Sequence, residues 1–290
     1  SLGIDLGADV RLVPIFGTDG DGSLGPTVIP MLTELGGAAA LGRWTVYGTV
    51  TARKGEGSGP SFVAFSREHW LGFHVASGAD VRAGRLVLPF GVRQPDHTQY
   101  VREDFGLDKY DQSYGVELDL RLSGWSLFGG LFAGDLTYEP SERQERAIVL
   151  TPTLDLGSGA ALGVSLLGAT STADERLAGS LFGRAPLGER AYVLGEVAVQ
   201  HRGAKEGDAT LSNMAEYVRL GWFAKPEMDV FVEAGHRAFL GSDGLTKERV
   251  GVGMNWQMLR WFEFAPQLFA EARSDLPARF VGLAQLHLIY

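Results

Sequence analysis

The chain carries six histidines and no cysteine, which removes thiolate metal sites, disulfides, CxxC redox centres and cysteine nucleophiles together. His69 and His74 lie five residues apart, so on a strand they point to opposite faces and form no zinc pair of the HExxH type. His97, His201, His236 and His287 are scattered. Gly20-Asp21-Gly22-Ser23-Leu24-Gly25 fits GxGxxG in letters, but Pro26-Thr27-Val28 opens a strand and not the helix that would cradle a phosphate. Asp19-Gly20-Asp21 suggests calcium, yet Leu24 stands at the EF-hand glycine position and Pro30 at the bidentate glutamate. There is no GxSxG elbow. A barrel hydrolase would need a Ser, a His and an acid brought together near an outer rim, and spacing alone assembles none. No enzyme, cofactor or metal is expected.

What remains is fixed charge. Arg outnumbers Lys 21 to 5. A long polar segment, residues 91–112, concentrates Arg93, Asp96, Arg102, Glu103, Asp104, Asp108, Lys109 and Asp111. Around it, charges alternate with apolar residues: Arg85, Glu117, Asp119, Arg121, Arg219, Glu233, Arg237 and Arg249. Charges that face one another across a narrow aqueous gap interact through a lowered dielectric and select ions. The same residues could instead pair across strands and stiffen a wall.

The elements that position them have a period of two. Met228, Val230, Val232 and Ala234 oppose Asp229, Glu233 and Arg237, and Tyr114, Val116, Leu118 and Leu120 oppose Glu117, Asp119 and Arg121. The pattern predicts sixteen strands, from 3–15, 27–40, 43–54, 62–77 and 80–90 through 125–138 to 260–273 and 278–290. Tight turns, such as Ser123-Gly124 and Gly157-Ser158-Gly159, mostly alternate with longer polar links. No apolar run reaches the 18 residues of a spanning helix. The expected fold is all-β: one closed antiparallel transmembrane barrel over residues 1–290, with short turns on one side and longer loops on the other.

Acidic residues exceed basic ones by 9, which disfavours nucleic acid as a partner. Gly at 40 of 290 exceeds ordinary usage. Trp44, Trp125, Trp222, Trp256 and Trp261 lie near the tight turns, with Tyr192 and the terminal Tyr290, and form an expected aromatic girdle against lipid. Trp70 does not fit that belt. Phe128, Phe132, Phe182, Leu194, Phe231 and Phe269 fall on the charged face, where an open water channel has little use for them.

The chain ends Phe280-Val281-Gly282-Leu283-Ala284-Gln285-Leu286-His287-Leu288-Ile289-Tyr290, an alternating strand closed by an aromatic. This ending resembles the bacterial outer-membrane porin family. The resemblance implies an integral outer-membrane barrel, read by the barrel-assembly machinery through its last strand. It would pass small hydrophilic solutes or ions by diffusion, with loop 91–112 folded inward as the constriction. Porins of this type are often homotrimers. Gly84-Arg85-Leu86-Val87-Leu88-Pro89-Phe90-Gly91-Val92-Arg93 with Asp96-His97 has a lesser resemblance to the barrels of outer-membrane multihaem cytochrome conduits. That likeness implies a sleeve around a cytochrome or lipoprotein partner.

Overall fold

A computed structural model describes residues 2–17, 27–54, 62–92, 105–107, 112–134, 145–206, 210–240 and 244–289. Its strands are β1 (Leu2–Gly17), β2 (Thr27–Leu41), β3 (Trp44–Lys54), β4 (Phe62–Phe65), β5 (His69–Ala76), β6 (Ala79–Val87), β7 (Gln112–Leu122), β8 (Trp125–Phe132) and β9 (Arg146–Gly157). They continue with β10 (Ala160–Thr170), β11 (Asp174–Pro186), β12 (Ala191–Ala204), β13 (Thr210–Lys225), β14 (Met228–Phe239), β15 (Thr246–Leu259), β16 (Phe262–Arg273) and β17 (Leu276–Ile289). Neighbours in sequence pair antiparallel, and β1 pairs with β17, Asp9 opposite Ile289, so the sheet closes. β4 and β5 both pair with β3 and form one interrupted crossing, which makes the barrel sixteen-stranded. Closure removes the free edges whose backbone groups lipid could not satisfy.

Alternation sets the two faces. Val116, Leu131, Ile148, Leu166, Leu177, Val218, Val232 and Val250 are exposed on the outside. Their neighbours Glu117, Phe132, Val149, Ser165, Arg176, Arg219, Glu233 and Arg249 are buried within. This inversion of a soluble barrel is the lipid-facing arrangement. Trp44, Trp125, Trp222 and Trp261 are exposed at the tight-turn end, as a girdle requires, with Trp256 half-buried beside them. Tyr290 lies outside the described residues. Tyr192 leaves the belt: it turns inward and donates to Asp229 at 2.8 Å. The turn at Ser77–Gly78 needs its glycine, with φ at 76° and space filled by the Arg121 carbonyl, 2.3 Å from where a Cβ would sit.

Three boundaries depart from the alternation. The expected strand 62–77 breaks at Ser66–Glu68. There Arg67 swings to Glu34, 2.7 Å away, while Thr49 exchanges hydrogen bonds with Glu68 in place of the ladder. The expected strand 80–90 stops at Val87, because Pro89 has no N–H to give the wall and the chain turns inward. The expected strand 125–138 ends at Phe132 in β8, and residues 135–144 lie outside the described ones. At the long-loop end, residues 171–173 and 274–275 form links as tight as those opposite.

Candidate functional site

A segment of the chain occupies part of the barrel's inner surface. After β6, Leu88, Pro89, Phe90 and Gly91 are buried, as are Phe105 and Leu107. They lie on the inner faces of β9–β12. Gly91 N–H donates to Ser165 Oγ at 2.8 Å, and Val92 N–H donates to Glu196 Oε2 at 3.0 Å. Thr151 donates to the Pro89 carbonyl. The Phe105 carbonyl accepts from Arg176 Nη1 at 2.6 Å and from Gln200 Nε2 at 3.1 Å. Gly91 is in the left-handed region, φ 59°, and a Cβ there would lie 1.9 Å from Glu196 Oε1. Leu86, Leu88, Phe90, Phe105 and Leu107 form one apolar cluster with Phe132, Val149 and Leu167 of the wall.

The lumen aromatics are therefore employed by the chain itself. Phe132 packs beneath the inward segment. Phe231 carries the Arg219 guanidinium 3.8 Å above its ring, and Phe269 carries that of Arg249 at 4.7 Å. Several rings also lie over glycines of a neighbouring strand. A Cβ would come within 2.2 Å of Phe182 at Gly163, 2.4 Å of Phe269 at Gly251, and 2.4 Å of Phe231 at Gly253. Part of the high glycine content follows from this covering of glycine by rings.

The wall charges are mostly paired. Arg219 Nη2 donates to Glu233 at 2.6 Å, Tyr217 donates to the same oxygen at 3.1 Å, and Arg249 stands 3.6 Å from the other oxygen. Arg82 pairs with Glu117, and Arg121 pairs with Asp119 at 2.5 Å. Arg237 lies 3.9 Å over the Phe239 ring. At the β1–β17 seam, Asp9 holds both Arg11, at 2.8 Å, and His287, at 2.7 Å. Higher on β17, Arg279 holds Glu271 at 2.5 Å.

Of the expected site residues, Glu117, Asp119, Arg121, Arg219, Glu233, Arg237 and Arg249 all alternate onto the inner wall. Arg85 does not: it shares parity with exposed Ala83, opposite to buried Leu86, and is itself 1% exposed. Arg93, Asp96, Arg102, Glu103, Asp104, Asp108, Lys109 and Asp111 lie outside the described residues. Sequence reading passed over Ser165, Thr151, Arg176 and Gln200, which hold the inward segment. Their parity was readable. Their partners, backbone groups up to 95 residues away, were not.

No family model and no curated protein matches this sequence. Solved structures do match its fold. OmpT of Vibrio cholerae, in a form lacking one loop, aligns with a TM-score of 0.81 at 12% identity, covering 100% of this chain and 99% of that one. An anion-selective porin from Comamonas acidovorans aligns with a TM-score of 0.77 at 12% identity and full coverage of both chains. The outer membrane channel DcaP of Acinetobacter baumannii gives 0.72 at 12% identity, covering 100% and 98%. At such identities the likeness is one of fold: this chain has the architecture of the outer-membrane porins.

Proposed function

We propose that this barrel, built as the outer-membrane porins are, sits in the bacterial outer membrane and passes small hydrophilic solutes or ions by diffusion. The supporting observation is how the inner wall is divided. The segment at 88–92 and 105–107 covers β9–β12, while inward residues of β17 and β1, including Leu283, Gln285, His287 and Arg11, keep part of their surface open. Water and solute run along that open side. Passage needs no covalent step and no cofactor. Because acids and bases are paired along the wall, the net field is small and selectivity is weak. The sleeve alternative drew on the lumen aromatics, and these have partners within the chain.

Planar-bilayer recording of the purified folded protein, with reversal potential under a salt gradient, tests this. Steady ohmic conductance with a small reversal potential supports the pore. Silence from a folded barrel contradicts it.

A further inference from the structure

One polar group of side chains lies outside the lumen, where β4 gives way to β5. Ser66 Oγ is 2.9 Å from His69 Nδ1, and His69 Nε2 is 3.1 Å from Tyr114 Oη. His69, Arg85 and Tyr114 share one register row. His69 alternates with Trp70, whose ring stacks on the inward Tyr47, and it sits beside Gly48 on the outer face. Arg85 donates to the Ser66 carbonyl and is almost wholly buried, so its charge is fixed behind the serine. Ser66, His69 and Tyr114 each keep part of their surface exposed.

The depth of the group matters. A tilted strand climbs about 2.5 Å per residue, and the apolar band of such barrels is about 25 Å tall. His69 stands eight residues from the turn at Ser77, roughly 20 Å up by that rise. The group therefore sits within the band, above the tight-turn girdle and toward the level where acyl chains meet their ester linkages.

We propose that Ser66 is an activated nucleophile in the outer wall, with His69 as its general base and ester-linked acyl groups of membrane lipid as its substrate class. With Nε2–H donating to Tyr114 Oη, His69 Nδ1 is left to accept the Ser66 proton. Tyr114 acts as a positioning residue that holds this tautomer. Ser66 Oγ bonds to the acyl carbon as its proton passes to His69. The C–O bond to the lipid alcohol then breaks, and the leaving oxygen takes the proton from His69. Water attacks the acyl-Ser66 ester, giving its proton to His69 and then to the departing Ser66 oxygen. The net reaction is ester plus water to acid plus alcohol. In the opposite tautomer Ser66 donates to the Glu68 carbonyl, 3.2 Å away, and the group only closes the strand break. A second pair, Ser212 with His201 at 2.8 Å, is exposed, and no described side chain is placed to hold its imidazole; it serves as an internal control.

The test is labelling of the folded barrel in detergent micelles with a fluorophosphonate, followed by peptide mapping. One adduct is expected, at Ser66 and not at Ser212. It is absent in Ser66→Ala and at least tenfold slower to form in His69→Gln, both variants keeping the electrophoretic mobility of the folded barrel. Tyr114→Phe slows it several-fold. Release of fatty acid from mixed phospholipid micelles is lost in Ser66→Ala, while channel conductance is unchanged. No adduct in the folded wild type, or an adduct formed as fast without His69, overturns the proposal.

Discussion

Two sectors of the inner wall differ in what covers them. On β9–β12 the inward residues Thr151, Ser165, Arg176, Glu196, Ala198 and Gln200 are nearly inaccessible beneath the inward segment. On β17 and β1 the inward residues Leu283, Gln285, His287, Asp9 and Arg11 are only half-buried. The first sector spends its polar groups on backbone of the segment. The second pairs charge with charge across the seam. Over its described residues the segment leans to one side, against β9–β12. The Arg219–Glu233–Arg249 group lies between the two sectors, stacked on Phe231 and Phe269. It stiffens the wall more than it offers free charge.

Breaking the covered sector has the largest expected effect. Gly91→Ala places a Cβ against Glu196 in a backbone conformation that disfavours it, and the segment leaves its seat. Single-channel conductance should rise well above wild type. Glu196→Ala acts in the same direction and less strongly. It removes the charged acceptor of the Val92 N–H, a hydrogen bond worth about 1.5–3 kcal/mol. Unchanged conductance in both would show that the segment does not narrow the pore.

Next comes the wall itself. Gly163→Ala drives a methyl into the Phe182 ring. Overpacking of this kind costs about 1–3 kcal/mol, read as a lower midpoint in urea unfolding. Gly203→Ala, where nothing lies near the added Cβ, is the control and should be nearly neutral.

Smaller again is Arg279→Glu on the open sector. It places like charges beside Glu271 and should move the reversal potential toward cations, more so at low salt. The smallest effect is at Asp275, in the link between β16 and β17, where the hydrogen bond from Arg273 holds the carboxyl below its usual range. A lowered folded value gives stability that is present above the unfolded value and is lost as pH falls through the folded one. This pair is exposed, so Asp275→Asn should leave stability unchanged near neutral pH.

The barrel was legible because alternation over long strands is a local signal. Val230 and Val232 against Phe231 and Glu233 declare their faces without any tertiary information. The site was legible by parity alone. Glu233 could be placed on the inner wall, but its two guanidinium partners depend on register. The break at Ser66–Glu68 was not legible, since it answers to Glu34 across 33 residues. The seat of the inward segment depends on Gly91 meeting Glu196, a contact between segments 105 residues apart that no periodicity encodes.

Under the proposed function, solute passes along β17–β1 and not along β9–β12. The chain has no cysteine, so single introduced thiols report cleanly. Channels carrying Gln285→Cys or Ala198→Cys should be recorded before and after a charged, membrane-impermeant thiol reagent. Current through Gln285→Cys should fall stepwise on modification while Ala198→Cys is unaffected. Modification of Ala198→Cys with Gln285→Cys untouched would contradict it.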